Sequence, residues 1–231
     1  MINKFYSFMV LIFSLIIFQS CDDGWDFDIP GCMDENAENY DSNATFDNGS
    51  CYSIPMYDIV TTTINSSSYD DWIYYSFELG DVVDILDSLS FKSTDWDIAF
   101  KRNHMKTNGG ESGTGSGCAI VDDSQLWTHE SFSLSDQIPD YECEVDEVIE
   151  GNIFTYQGCY NPDTHLFESC IKNPALDNWG SFNDSYQFNI NNYQFFVVGA
   201  SEDDVVKLWL MSYYDVNGES GYISMTYQIL D

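Results

Sequence analysis

Positive charge is what this chain has least of. Seven Lys and Arg stand against 39 Asp and Glu, a formal net charge of −32 over 231 residues. Such a surface repels phosphate backbones and anionic headgroups alike, which excludes nucleic acid and electrostatic membrane binding. Histidine is scarcer still, so a site built on imidazole has three candidates, His104, His129 and His165. Apolar residues nowhere keep a helical spacing for a dozen positions, which argues against a helical protein. The chain also lacks G-x-S-x-G, H-E-x-x-H and any spaced His or Cys cluster for zinc; the sequence reads as a binding protein and not an enzyme. Acid pairs such as Asp95/Asp97 and Asp203/Asp204 carry no catalytic signal among so many carboxylates.

One long apolar run is present, "FYSFMVLIFSLIIF" (5–18), too short for a comfortable membrane span. Lys4 before it and "FQSC" after it make residues 1–20 resemble a bacterial lipoprotein signal peptide, with lipidation at Cys21. Phe18 departs from the Leu usual in such signals. Cysteine parity agrees with this reading. Setting Cys21 aside turns seven cysteines into six: Cys32, Cys51, Cys118, Cys143, Cys159 and Cys170. An oxidising compartment can pair all of them. The expected location is the outer membrane, held by the lipid anchor. The acidic tether (21–30) resembles surface-export signals and points to the cell surface.

Residues 31–52, "GCMDENAENYDSNATFDNGSCY", hold few apolar side chains and cannot build a core, so a disulfide or a cation must order them. The segment resembles a cysteine-bracketed acidic repeat in the style of thrombospondin type 3 units. Asp34, Asn36, Asn39, Asp41, Asn43 and Asp47 are candidate Ca²⁺ ligands, since hard oxygen donors at this density suit that ion. The EF-hand spacing is absent. A solvated, disulfide-pinned spacer is the alternative.

From residue 57 strand signals take over. "YDIVTTTI", "WIYYSFEL", "DWDIAFKR", "NIFTY", "YQFNI", "YQFFVVG", "VVKLWLMSYY" and "GYISMTYQIL" are short β-branched and aromatic runs, punctuated by Gly, Asn, Asp and Ser. The expected fold is all-β, a single antiparallel β-rich domain over 57–231. Alternation along "DWDIAFKRNHMK" predicts one strand with Ile98, Phe100, Arg102 and His104 on one face and Ala99, Lys101 and Met105 on the other. The glycine-rich stretch that follows, "KTNGGESGTGSG", has no phosphate-binding motif and predicts a loop passing close to another backbone. The four downstream cysteines allow three pairings; Cys159 with Cys170 is the local choice and leaves Cys118 with Cys143.

"DWDIAF", "KTNGGESGTGSG", "YQFFVVGA", "VVKLWLMSYYD" and "GYISMTYQI" resemble, in order and spacing, the HmuY family of Bacteroidetes haem-scavenging lipoproteins. The resemblance implies a β fold with a small helical element, haem as the ligand, and hand-over to a TonB-dependent outer-membrane receptor. It also implies two axial iron ligands. The first lies in a Pro-Asp-x-His segment, which "NPDTH" matches at His165; an exposed loop histidine is the alternative reading of that position. The second falls just after Trp179, in residues 180–189, where this chain has neither His nor Met. The iron is then five-coordinate on His165 or completed by His129; Tyr186 could ligate ferric iron as a phenolate, at a site different from the family's. The alternative function is a module that keeps the fold but binds a protein, a glycan or another ligand.

Overall fold

The computed structural model describes residues 28–35, 37, 39–51, 59–127, 137–201 and 205–230. The leader, Cys21, Asn36 and His129 lie outside the described residues. The chain divides between residues 56 and 57 into two compact units.

In the first unit, β1 (Pro30–Gly31) and β2 (Phe46–Asp47) form a short parallel pair, and a Cys32–Cys51 disulfide closes the segment. Its polar groups serve local turns. The Asp41 carboxylate accepts from the Asn43 amide at 2.9 Å and the Asp47 carboxylate from the Gly49 amide at 3.0 Å, while Asn39 donates to the Ser50 carbonyl. Met33, Tyr40 and Phe46 are exposed, so the cross-link does what burial cannot. Among the described residues no group of three or more His, Cys, Asp or Glu is disposed to hold a metal ion. The calcium expectation at Asp34, Asn39, Asp41, Asn43 and Asp47 therefore gains no support.

The second unit is built on two antiparallel sheets. One has five strands in the order β3 (Val60–Asn65), β17 (Ser220–Leu230), β16 (Val205–Tyr214), β15 (Tyr193–Val198) and β8 (Cys118–Leu126). The other has four, β5 (Asp81–Val83), β4 (Ile73–Ser76), β6 (Ile98–Lys101) and β7 (His104–Thr107). Period-two alternation sends Ile223, Met225 and Tyr227 of β17 inward, to meet Tyr75, Ile98, Phe100 and Met105 in one core cluster. The Tyr75 and Tyr227 hydroxyls lie 3.1 Å apart within it. Buried Asp97 accepts from the Phe77 and Ala200 amides, tying the four-stranded sheet to the chain beyond β15. The glycine-rich loop packs as the composition predicts: a Cβ at Gly109 would collide with the Gly117 carbonyl, and one at Gly113 with the Asn108 side chain.

Two strand expectations are corrected. "DWDIAFKRNHMK" is not one strand but the β6–β7 hairpin, turning at Arg102 and Asn103 with Arg102 at φ 52°. The turn resets the alternation. Phe100 pairs with Met105 and both enter the core, while Lys101 pairs with His104 on the opposite side of the ladder. "NIFTY" is a turn closed by a bridge between Asn152 and Gln157, with the Asn152 side chain accepting from the Phe154 amide. Phe154 is 90% exposed, while Tyr156, at φ 57°, meets the ring of Phe167 edge-on at 5.6 Å.

Smaller pairs complete the unit: β9 (Glu147–Ile149) with β12 (Cys170–Lys172), β10 (Cys159–Asn161) with β11 (Leu166–Glu168), and β13 (Gly180–Phe182) with β14 (Phe188–Ile190). Disulfides join Cys118 to Cys143 and Cys159 to Cys170. Two four-residue helices, α1 (Asp87–Ser90) and α2 (Pro174–Asp177), are the only helices among the described residues. "NPALD" forms α2 because the Asn173 side chain caps the Leu176 amide and Pro174 sits in the first turn, where its missing N–H costs nothing.

Candidate functional site

A cleft of about 1030 Å³ opens where the β6–β7 turn, the β10–β11 and β13–β14 hairpins and the β16–β17 turn converge. It lies at the upper end of the roughly 300–1,000 Å³ typical of small-molecule sites. Aromatic rings dominate its walls: Tyr156, Tyr160 and Phe167 on one side, Phe182, Tyr186 and Phe188 on the other. Behind them buried Trp179 holds the floor, its indole N–H donating to the Asn103 carbonyl at 2.8 Å and its ring packing on Phe188 at 4.5 Å.

The polar floor comes from the β6–β7 turn and α2. Lys101, Arg102 and Lys172, three of the chain's seven cationic side chains, line the cleft together with His104 and Asp177. The two Asp177 carboxylate oxygens are divided between Lys172 Nζ at 2.7 Å and His104 Nδ1 at 3.5 Å. Burial pushes the His104 imidazole below its ordinary pKa; the Asp177 bond opposes this, and the charges of Lys172 and Lys101 add to it. Burial would raise Asp177, but His104 and Lys172 bring its carboxyl below the ordinary range. The floor is thus a neutral imidazole beside a charged pair. Arg102 donates to the Ser67 and Ser220 carbonyls and the Ser220 hydroxyl, and stacks 4.4 Å over Tyr69.

The sequence candidates fall unevenly around this cleft. His165 is exposed at the tip of the β10–β11 hairpin in a left-handed conformation (φ 53°), with the Asn161 side chain accepting from the Asp163 and Thr164 amides of the turn. It is not a lining residue. Its Nδ1 lies 2.9 Å from the hydroxyl of Tyr160, which is one. With Nδ1–H donating to that oxygen, the Nε2 lone pair is left for another partner. The Cys159–Cys170 bond holds this hairpin at its base. Tyr186 stands at the tip of the β13–β14 hairpin, also left-handed (φ 59°), lines the cleft and is 88% exposed. His104 is buried on β7, as its strand position implies, and also lines the cleft. Lys101, Lys172 and Asp177 belong to no binding motif; their signal in the sequence is the scarcity of cations, which makes the adjacent pair "KR" unusual here.

The sequence profile of HmuY protein matches residues 68–227. Solved structures agree at the level of the fold. A protein described as HmuY-like and haem-binding, from Bacteroides vulgatus, superposes with a TM-score of 0.57 at 18% identity, covering 76% of this chain and 94% of its own. The apo form of a HmuY analogue from Tannerella forsythia gives 0.56 at 18%, covering 75% and 96%. A protein described as a lipoprotein, from Bacteroides fragilis, gives 0.54 at 19%, covering 73% and 87%. No curated protein sequence is significantly similar to the chain. The profile match spans well over half of the chain and the strand architecture agrees with it, so the chain belongs to the HmuY family.

Proposed function

We propose that the protein is an exported lipoprotein, anchored through Cys21 on the outer face of the outer membrane, that captures haem and passes it to a TonB-dependent receptor. It binds and does not catalyse. The observation that carries this reading is the cleft of about 1030 Å³ itself: aromatic walls on both sides, with Lys101, Arg102 and the Asp177-paired Lys172 on its floor in a chain of net charge −32. A flat, largely apolar macrocycle carrying carboxylates matches both features. His165 is the axial ligand on one side, oriented by Tyr160. Tyr186, at the tip of the other hairpin, is the oxygen donor that stands in for the missing His or Met of 180–189; His129 is the remaining nitrogen candidate.

The test is a haemin titration of the mature, oxidised protein, followed at the Soret band, with His165→Ala and Tyr186→Phe beside it. The reading predicts a saturable one-to-one spectrum that His165→Ala abolishes and Tyr186→Phe shifts. An unchanged spectrum in His165→Ala would remove that ligand. No saturable spectrum in the wild type would overturn the haem reading and favour a module that keeps the fold and binds a protein or glycan.

A further inference from the structure

We propose that Lys101, at the base of the cleft, is a carboxylate-binding position that takes an acidic substituent of the bound porphyrin. The inference rests on the haem reading and extends it from the iron to the edge of the ring.

The cations around the cleft are not equivalent. Lys172 is neutralised by Asp177 at 2.7 Å, and Arg102 is committed to the Ser67 and Ser220 oxygens. Lys106, its side chain in the outer layer of the same hairpin, donates to the Tyr74 hydroxyl at 3.2 Å and lies over Trp72 at 4.6 Å. Lys101 shares the Trp72 ring with Lys106 but has no polar partner. Among the described residues it makes no ion pair and no hydrogen bond, and its ammonium rests 5.0 Å from the Trp72 ring centre. That is anomalous where Asp and Glu outnumber Lys and Arg by 39 to 7. Asp70, Asp71, Asp87 and Glu168 act on Lys101 only from a distance, and burial outweighs them, lowering its pKa.

A half-buried cation without a counter-ion is poorly solvated and poorly paired, a state that an anion entering the cleft relieves. Chemistry selects the anion. The walls carry aromatic rings on both sides with polar groups between them, which suits a ligand that brings its charge on an apolar, planar body. Inorganic phosphate or sulfate has no such body, whereas a porphyrin with carboxylate side chains does. Arg102, next in sequence and fixed by three hydrogen bonds, supports the site with a second, immobile positive charge.

The experiment compares haemin with haemin dimethyl ester, whose carboxylates are masked, on the wild type, Lys101→Gln and Lys92→Gln. Lys92 is an exposed cation outside the cleft and controls for net charge. The wild type and Lys92→Gln should prefer haemin over the ester by about tenfold, the scale of one charge-assisted contact. Lys101→Gln should bind both with the affinity the wild type shows for the ester. Unchanged ester binding in Lys101→Gln also certifies that the cleft is intact. Equal wild-type affinities for haemin and ester, or a preference that survives in Lys101→Gln, would overturn the site while leaving haem binding in place. No saturable binding of either compound to the wild type would overturn the haem reading itself, and this site with it.

Discussion

Asp177→Asn removes the carboxylate that organises the cleft floor while leaving nearly the same shape. Lys172 Nζ sits 2.7 Å from Asp177, with the lysine side chain 5% exposed and the carboxylate 36%. Deleting one partner of a fully buried pair costs about 3–5 kcal/mol, because the remaining charge is left without a counter-ion. Water reaching Asp177 brings the expectation down to about 2–3 kcal/mol. In a domain of this size each kcal/mol lowers Tm by about 2–4 °C, so the variant should melt about 5–10 °C below the wild type. Circular dichroism at neutral pH with all disulfides intact reads this directly. Adding Lys172→Met removes the orphaned ammonium and should recover more than half of the loss. A single variant within about 2 °C of the wild type, or a double variant no more stable than the single, would refute the assignment of Asp177 as counter-ion.

Two further perturbations address the same architecture. Gly109→Ala drives a methyl group into the Gly117 carbonyl and should destabilise the protein by more than about 3 kcal/mol in denaturant unfolding; a loss under about 1 kcal/mol would mean that the loop packing has slack. His104 is held neutral by burial, with Asp177, Lys172 and Lys101 the charged groups acting on it. Its folded pKa lies below the 6.5 of the unfolded chain, so the unfolded state binds the extra proton first and stability falls as pH drops below 6.5. Asp177, also depressed, loses its contribution only below its ordinary 3.8. Melting curves between pH 7 and about 5 should show the decline in the wild type and a shallower one in His104→Asn; parallel curves would exclude His104 as its source.

Much of the fold was legible because β structure announces itself through side-chain chemistry. The aromatic and β-branched runs at 193–198, 205–214 and 220–230 became three adjacent strands, and the crowded glycines became a loop that tolerates no Cβ. What stayed hidden depends on backbone geometry without a residue signature. The hairpin at Arg102 turns on a left-handed Arg, which no turn propensity favours, so the alternation beyond Lys101 was assigned to the wrong faces. The exposed turn at 152–157 carries strand-forming residues with no partner strand. The site divides in the same way. The expectation at His165 rests on its motif, whereas its relation to the cleft runs through Tyr160, five residues earlier, and the convergence of Lys101, Lys172 and Asp177 is made by topology alone. Spacing along the chain holds no record of it.

The most direct test of the central claim is a crystal structure of the mature protein with haemin. The account predicts one porphyrin between the β10–β11 and β13–β14 hairpins, against Tyr160, Phe167 and Tyr186, with His165 at the iron and a carboxylate at Lys101. A porphyrin bound elsewhere on the surface, or a cleft that stays empty at saturating haemin, would contradict it.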